Sequence, residues 1–327
     1  MFFKKIALED APVVAGALVS ACRLDGWSNP LQPQFLRVLF KNLMFYDVDF
    51  ETLTPISIEE FKKTIPSQEK HSEVIDLMLS VELLCHSIPE PVANSIESWA
   101  GALGIQNERL NLVRDLARQS LAVAQSDFYR NNYFSDKDES LPHFHRLVKG
   151  YGLPAYMLTL TADPVELARW EGLASFPENS LGSGLWHFYK KRGFSFPGSV
   201  GGVNPSVAHH DWIHVLADYD SDGIGEMEVA AFSAFATQSI SPTMNFFGTL
   251  SIFQGGLLQS IVGDKPHLGH ELEVPNGSER IVDAFKRGRA CSVDLIEGMN
   301  FFEHAHIPLD KLRTQWNIRP KSIEAIV

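Results

Sequence analysis

The sequence predicts an all-α protein made of two helical domains. Apolar residues recur at spacings of three and four along residues 8–125, and no alternation typical of a β-strand competes with this pattern. The second half of the chain is again mostly helical in its pattern. A chain of 327 residues exceeds the usual size of a single domain, about 100 to 200 residues, so we expect two domains.

Five prolines between residues 30 and 89 divide the first domain, residues 1–130, into separate segments. A proline inside a helix removes a backbone hydrogen bond, so each of them marks a boundary. We expect six helices in this domain: Val13 to Leu24, Gln34 to Phe45, Ile58 to Ile65, Ser72 to Cys85, Pro91 to Leu103 and Glu108 to Ala124.

The first apolar segment has one feature of a lipoprotein signal, since residues 19–22 have the form of a cleavage site after two lysines and an apolar stretch. Glu9 and Asp10, however, separate the lysines from that stretch, which is atypical of a signal peptide. We therefore interpret the segment as a buried helix that ends near Asp25 and Gly26.

Residues 131–152 are expected to link the two domains, because they hold the charged run Asp136 to Glu139 and two glycines, Gly150 and Gly152. His143 and His145 also lie in this linker, at a spacing that would point them to different faces of a helix. We interpret them as solvated loop histidines. The second domain then comprises residues 153–327.

The second domain contains a stretch without charged residues, Val229 to Gly263. A membrane span needs about 20 predominantly apolar residues, and Pro242 and a pair of glycines divide this stretch into shorter pieces. Two interpretations stay open: an interior helical hairpin, or an apolar tunnel or membrane-facing patch for a lipid tail. In the second, the candidate lipid-binding side chains are Phe232, Phe246, Phe247, Leu250 and Phe253.

Potential metal ligands gather between residues 210 and 226. His210 and His214 are four residues apart, so on a helix both imidazoles leave the same face, about one turn apart. Asp211 lies between them, and two glycines just before Glu226 predict a turn that could return this carboxylate to the histidines. Imidazole and carboxylate together suit zinc, manganese or iron. The alternative is a polar network that caps a pair of helices.

Two other interpretations use neighbouring residues. The pattern HDxxH resembles the HExxH of zinc peptidases, with Asp211 as the group that would activate water, but aspartate is one methylene shorter than glutamate. Asp218, Asp220 and Asp222 begin like an EF-hand calcium loop. The twelfth position of that loop is Val229 and cannot bind calcium, so we predict that the loop is not a calcium sensor.

Charge and cysteine content exclude several classes of protein. A net charge of −12 and a pI near 5.4 disfavour binding to nucleic acid and charge-driven docking on anionic lipid. The cysteines, Cys22, Cys85 and Cys291, are far apart and form no CxxC pair, so neither a disulfide framework nor a thiolate zinc site is indicated. A reducing compartment fits this usage best.

The first domain resembles the tellurite-resistance TerB-like helical domains. The resemblance rests on Ala21 to Gly26, on Leu83 to Glu90 and on Trp99 to Ile105. Asn29, Pro30 and Gln32 occupy the stretch where that family usually has an acidic residue after the Asp-Gly pair. The resemblance therefore implies a module for interaction or scaffolding without the metal site of that family.

The second domain resembles the coenzyme Q (ubiquinone) biosynthesis protein four family over about residues 153–319, including the HDxxH-x11-E spacing. One departure is Val200 to Ser206, where that family has a helix with arginine and tyrosine. The matching stretches, in order, are Asn179 to Trp186 with Phe188 and Tyr189, His210 to Leu216, Gly225 with Glu226, Gly255 to Leu258, Arg287 with Gly288, Phe302 with Glu303, Pro308 with Leu309, and Leu312 with Arg313.

This resemblance implies that His210, Asp211, His214 and Glu226 bind a divalent metal, with zinc as the first choice and magnesium, manganese or iron as alternatives. Asp211 and Glu226 would be the catalytic residues, as ligands or as proton carriers, and the uncharged helices would hold a polyprenyl chain. The implied activity is metal-dependent oxidative decarboxylation of a prenylated hydroxybenzoate in ubiquinone or prenylquinone biosynthesis. The alternative is a scaffold without catalysis that binds isoprenoid lipid and organises other enzymes.

The resemblance also sets expectations for partners and location. The partners would be a prenylated aromatic or isoprenoid lipid, other quinone-biosynthesis proteins and a second copy of the chain, with no nucleic acid. We expect a cytoplasmic protein at the periphery of the inner membrane.

Overall fold

The computed structural model describes residues 3–85, 89–106, 110, 161–237, 246, 248–250, 253–254 and 270–322. The all-α prediction is confirmed, because these residues form helices and connecting turns and contain no β-strand. Extended pairing within them is limited to an isolated bridge between Ser180 and Pro308. None of the helices in the described ranges is long and apolar enough to cross a bilayer.

Five helices of the N-terminal half lie where the apolar spacing predicts them, with ends that differ by up to four residues. The predicted sixth helix lies outside the described residues except for Leu110, and the predicted linker 131–152 lies outside them entirely. The helices are α1 (Ala11–Cys22), α2 (Leu31–Leu43), α3 (Ile58–Thr64), α4 (Gln68–Glu82) and α5 (Glu90–Ala102).

Helix α1 forms the centre of the N-terminal half, where α3, α4 and α5 pack around it. Its sequence is apolar on all sides, as expected of a helix that is surrounded by others. Cys22 at its end is fully buried, and burial raises the pKa of its thiol well above the ordinary value. Burial also raises the pKa of Cys85 to about 11, so both thiols are protonated and unreactive at neutral pH.

The turn after α1 and the start of α2 are held by Arg23, which belongs to the TerB-like resemblance, and by Gln32, which departs from it. Arg23 donates from Nη1 to the carbonyl of Phe50 and from Nη2 to the carbonyl of Leu53, both at 2.8 Å. Gln32 is fully buried and donates to the carbonyl of Val81 at 3.0 Å. Gln32 therefore stabilises the junction of α2 with α4 in the stretch where the resembling family carries an acidic residue.

The described part of the C-terminal half consists of seven α-helices and two short 3-10 helices. These α-helices are α6 (Pro164–Glu171), α7 (Leu181–Arg192), α8 (His209–Ala217), α9 (Gly223–Phe235), α10 (Gly277–Ala290), α11 (Phe301–His304) and α12 (Leu309–Gln315). The 3-10 helices are Gly172–Ser175 and Glu271–Glu273.

Helices α9 and α10 form the most extensive helix pair of the described residues. Phe235 and Phe285 meet at a centroid distance of 4.6 Å. A Cβ atom at Gly288 would lie 2.2 Å from the carbonyl oxygen of Phe232, so only glycine allows the two backbones to approach this closely. The apolar sequence of α9 thus serves a tight helix contact.

The two halves of the chain contact each other through α2 and α10. Lys286 on α10 donates to Asn42 Oδ1 on α2 at 2.7 Å. Because α10 also packs against α9, the N-terminal half is joined by one intermediate helix to the helix that carries Glu226. The division into domains 1–130 and 153–327 stays a prediction.

Candidate metal centre

A helix, a tight turn and a second helix bring residues 210 and 226 together, as the sequence predicts. Helix α8 ends at Ala217 because Asp218 takes a left-handed conformation, with φ of 62°. Helix α9 begins after Asp222, whose Oδ1 accepts the N–H of Gly225 at 2.9 Å. A Cβ atom at Gly225 would lie 2.0 Å from the carbonyl oxygen of Asp220, so glycine is required for this turn.

The four predicted ligand residues converge at this turn. His214 Nε2 lies 3.2 Å from Glu226 Oε2. His210 Nε2 lies 3.7 Å from the same oxygen and 3.4 Å from Asp211 Oδ1. The ligand atoms of His210, Asp211 and His214 all lie within 4.8 Å of one another, which makes this group able to hold a metal ion.

Backbone carbonyl groups orient both imidazole rings. His210 Nδ1 lies 2.5 Å from the carbonyl oxygen of Val207, and His214 Nδ1 lies 3.3 Å from that of Tyr219. A carbonyl oxygen only accepts hydrogen bonds, so each Nδ1 carries the proton in these contacts. In a neutral imidazole the lone pair is then on Nε2, and both Nε2 atoms face carboxylate oxygens. This is the second-sphere arrangement usual for histidine ligands of metals.

A divalent cation among these groups would suit their charge. Two imidazole nitrogens and two carboxylates face each other in a largely buried space, where charges interact strongly. The two imidazole centroids are 5.4 Å apart. A single divalent cation between them would compensate the charge of both carboxylates.

The observed separations fit a small divalent cation. Ligand bonds of about 2.0 to 2.2 Å in a tetrahedron place neighbouring ligand atoms about 3.3 to 3.6 Å apart. The separations of 3.2, 3.4 and 3.7 Å lie close to this range. The 4.8 Å limit around the histidines and Asp211 is wider, so the group would contract around a tetrahedral ion or accept one with more ligands.

The cluster is largely buried. Asp211 is 0% exposed, His214 1% and Glu226 5%, whereas the side chain of His210 is 20% exposed. The Nε2 atom of His210, which faces the carboxylates, is itself buried. The exposed part of His210 is therefore another part of its side chain.

Two arginines hold the end of α8 in place. Arg287 donates to the carbonyl of Ala217 at 2.7 Å, and Arg313 donates to the carbonyls of Leu216 and Val215 at 2.8 and 3.0 Å. These carbonyls belong to the last turn of α8, where they have no partner within the helix and favour positive charge. Both arginines belong to the resembling stretches, but nothing in their spacing predicts this contact.

Tyr189 lies in the first of the resembling stretches and contacts the candidate centre. Its hydroxyl group donates a hydrogen bond to Asp211 Oδ2, and both side chains are fully buried. The two residues are 22 positions apart and lie on the packed helices α7 and α8. No spacing rule connects them, which is why sequence analysis missed this contact.

The acidic loop carries structural contacts. Asp220 pairs with Arg192 at 2.8 Å, and Asp222 begins α9 as described above. Glu228 is at the eleventh position of the loop, one place before the usual bidentate ligand. It forms a buried ion pair with Arg280. These contacts agree with the prediction that the loop is not a calcium sensor, which itself stays a prediction.

His209 and His270 lie outside the cluster. His209 Nε2 donates to the carbonyl of Leu295 at 2.9 Å, and burial lowers the pKa of this imidazole. His270 forms an exposed pair with Glu273 at 2.9 Å. His143, His145 and His267 lie outside the described residues.

The candidate lipid-binding residues that the structure describes are buried. Phe232 packs edge-on against Tyr219 at 6.1 Å, and Phe246 against Phe285 at 5.0 Å. Leu250 is 0% exposed and Phe253 2%. Phe247 lies outside the described residues, as does most of the stretch 238–263. Lipid binding by this stretch stays a prediction.

Comparison with known proteins gives limited information. No protein-family model matches the chain, and no curated protein matches it. Among solved structures, it is similar to the crystal structure of a proposed ubiquinone biosynthesis protein from Nostoc punctiforme, with 17% identity and a TM-score of 0.33. The alignment covers 75% of this chain and 97% of that chain. A TM-score this low supports no conclusion about the function of this chain.

Proposed function

We propose that this protein binds a divalent metal through His210, Asp211, His214 and Glu226 and acts on a prenylated aromatic precursor of a quinone. The observation that carries the proposal is that the ligand atoms of His210, Asp211 and His214 lie within 4.8 Å of one another, with Glu226 Oε2 beside both histidines, in the order and spacing of the HDxxH-x11-E motif. The sequence resemblance to the ubiquinone biosynthesis family supplies the substrate class.

Zinc is the metal we propose first. Two imidazoles with one or two carboxylates form a donor set of intermediate softness, which suits zinc, and also manganese or iron, better than calcium. Magnesium is a weaker candidate, since it prefers oxygen ligands and keeps several waters.

A divalent metal held there would supply Lewis acidity toward the carboxyl and phenol oxygens of a hydroxybenzoate, and so favour departure of the ring carboxyl as carbon dioxide, with a proton taking its place on the ring. The protein's own residues would orient the imidazoles and transfer a proton. Val207 and Tyr219 keep the imidazoles in the ligating orientation through their carbonyl groups. Asp211 and Glu226 are the carboxylates of this cluster, and either could accept or return a proton while the other stays a ligand.

An enzyme is the first candidate because the sequence resemblance implies one. A scaffold that used the metal only to join helices would need four protein ligands in a closed site. An enzyme would keep one coordination position open for a substrate oxygen. The scaffold remains the second candidate, and the open or closed coordination of the metal distinguishes the two.

An apolar tail would be held by the stretch that follows Glu226. Burial of one methylene contributes about 0.8 kcal/mol, so a partly enclosed prenyl chain could bind in the micromolar range without ionic contacts. Such binding would also let an acidic protein take its ligand from the surface of a membrane. Other quinone-biosynthesis proteins, and a second copy of the chain, are the protein partners in this proposal.

The test is the metal content of purified wild type, His214→Ala and His209→Ala, measured by elemental analysis. Loss of one ligand should remove most of the bound metal, because each ligand contributes a large share of the affinity. His209→Ala is the matched control, since this neighbouring histidine bonds to Leu295 outside the cluster. Equal metal in wild type and His214→Ala, or none in wild type, would contradict the proposal. Native mass spectrometry of the same samples detects any retained lipid.

A further inference from the structure

We infer that Tyr189 is a positioning residue of the metal centre, which directs a single oxygen of Asp211 at the metal. This inference rests on the proposed metal function and concerns a residue outside the four ligands. Its basis is the buried hydrogen bond from the Tyr189 hydroxyl to Asp211 Oδ2, together with the position of Asp211 Oδ1 at 3.4 Å from His210 Nε2.

The hydrogen bond gives the two carboxylate oxygens of Asp211 different roles. A carboxylate can bind a metal through one oxygen or through both, and rotation about its terminal torsion interconverts these modes. With the phenolic O–H on Oδ2, rotation of Asp211 would cost a hydrogen bond to a charged group in a buried place. Oδ1 therefore stays directed at the histidines, and Asp211 occupies one coordination position instead of two.

The ring of Tyr189 is held so that its hydroxyl group cannot follow such a rotation. It stacks on Phe196 with centroids 5.1 Å apart and an angle of 4° between the planes. Phe194 meets it edge-on at 5.7 Å, and Trp170 packs against it at 5.8 Å. The side chain is fully buried, so these three rings define the position of the phenolic oxygen.

A consequence follows for the chemistry of the centre. A monodentate Asp211 leaves one more position on the metal for a substrate oxygen or a water than a bidentate one does. Tyr189 would therefore favour an open metal site, although it does not contact the metal or the substrate. This separates it from a residue that only stabilises the fold.

The experiment compares Tyr189→Phe with wild type in two measurements. Zinc affinity is measured by competition with a chromophoric chelator, and the coordination of Co²⁺ in place of zinc is measured by its visible absorption spectrum. Tyr189→Phe keeps the ring and removes only the hydroxyl group. We expect zinc affinity about 10- to 100-fold weaker, the usual effect of losing an outer-sphere hydrogen bond. We also expect a changed Co²⁺ spectrum, since coordination geometry determines it.

Two control variants separate the hydroxyl group from general effects. Tyr46→Phe removes a phenolic hydroxyl from the N-terminal half and should change neither measurement. Phe196→Leu keeps the Tyr189 hydroxyl but loosens its ring, so we expect a smaller loss of zinc affinity and a broadened Co²⁺ spectrum. Should Tyr189→Phe fail to fold, Phe196→Leu carries the test, and an unchanged affinity and spectrum would overturn the inference.

The outcomes distinguish this inference from the proposed function. If wild type binds zinc and Tyr189→Phe binds it equally with the same Co²⁺ spectrum, the inference is wrong while the metal centre stands. If Phe196→Leu weakens zinc binding and Tyr189→Phe does not, ring packing and not the hydroxyl group supports the site. If wild type binds neither zinc nor Co²⁺, both the proposed function and the inference are wrong.

Discussion

Replacement of Arg280 by methionine should destabilise the protein by about 4 kcal/mol at pH 7 and by about 1 kcal/mol at pH 5. Arg280 binds both oxygens of Glu228, from Nε at 3.1 Å and from Nη2 at 2.6 Å. Glu228 is 2% exposed, and burial outweighs the arginine and raises the pKa of this carboxyl group. The perturbation therefore leaves a buried carboxylate without its charged partner.

The magnitude comes from the cost of protonating Glu228 in the variant. An unfolded glutamate has a pKa of about 4.3, and each pKa unit corresponds to 1.36 kcal/mol, so a neutral Glu228 costs about 3.7 kcal/mol at pH 7 and about 1 kcal/mol at pH 5. This agrees with about 3 to 5 kcal/mol for breaking one side of a buried pair. Because Arg280 lowers the pKa of Glu228, its loss raises that pKa further above the unfolded value, so the added penalty is absent below about pH 4 and grows as the pH rises.

The assay is urea unfolding of wild type and Arg280→Met at both pH values, followed by circular dichroism. The double variant Glu228→Leu with Arg280→Met is the control, because a well-packed apolar replacement of a buried pair is about neutral or stabilising. A loss that is the same at pH 5 and pH 7 would refute the reasoning. So would a double variant as unstable as the single one, since packing and not charge would then explain the loss.

Four further predictions use other parts of the molecule. Gly288→Ala should destabilise by about 1 to 3 kcal/mol in thermal unfolding, because its Cβ would meet the Phe232 carbonyl, whereas exposed Gly101→Ala should stabilise by up to about 1 kcal/mol. Burial and Asp222 raise the pKa of Glu271 to about 7, so stability should fall as the pH rises from about 4.5 to 7, and Glu271→Gln should flatten that dependence. Calcium titration by calorimetry should detect no site tighter than about millimolar, and a micromolar site lost in Asp220→Ala would overturn this. Leu250→Arg should abolish binding of polyprenyl phosphate with metal content unchanged; equal binding, or failure to fold, would identify the stretch as ordinary core.

The helical architecture and the proximity of the four candidate ligands were predictable because both depend on local spacing. Apolar residues three and four apart determine a helix face, and two histidines four apart must share that face wherever the helix lies. The glycines before Glu226 likewise signal a turn from composition alone, and Gly225 is required there by its contact with the Asp220 carbonyl. These inferences need no knowledge of the tertiary fold.

The support of the ligands could not be predicted, because it depends on contacts between distant residues. Arg313 is 98 positions from Val215, whose carbonyl it binds, and Arg287 is 70 positions from Ala217. The spacing of a motif contains no information about such partners. The apolar stretch after Glu226 was ambiguous for a different reason, since a core helix and the wall of a lipid cavity bury the same side chains.

Helix α10 connects these features, and its position affects the geometry of the candidate metal centre. Arg280 binds Glu228 beside the candidate ligand Glu226, Arg287 binds the end of the histidine helix, and Gly288 allows the close approach to α9. On its other side, Lys286 bonds to Asn42 of the N-terminal half. A displacement of α10 would therefore move Glu226 relative to the histidines. If the cluster binds metal as proposed, carboxylate and imidazole must stay within a few tenths of an ångström of their ligating positions, and the N-terminal half would then affect metal binding without contributing a ligand.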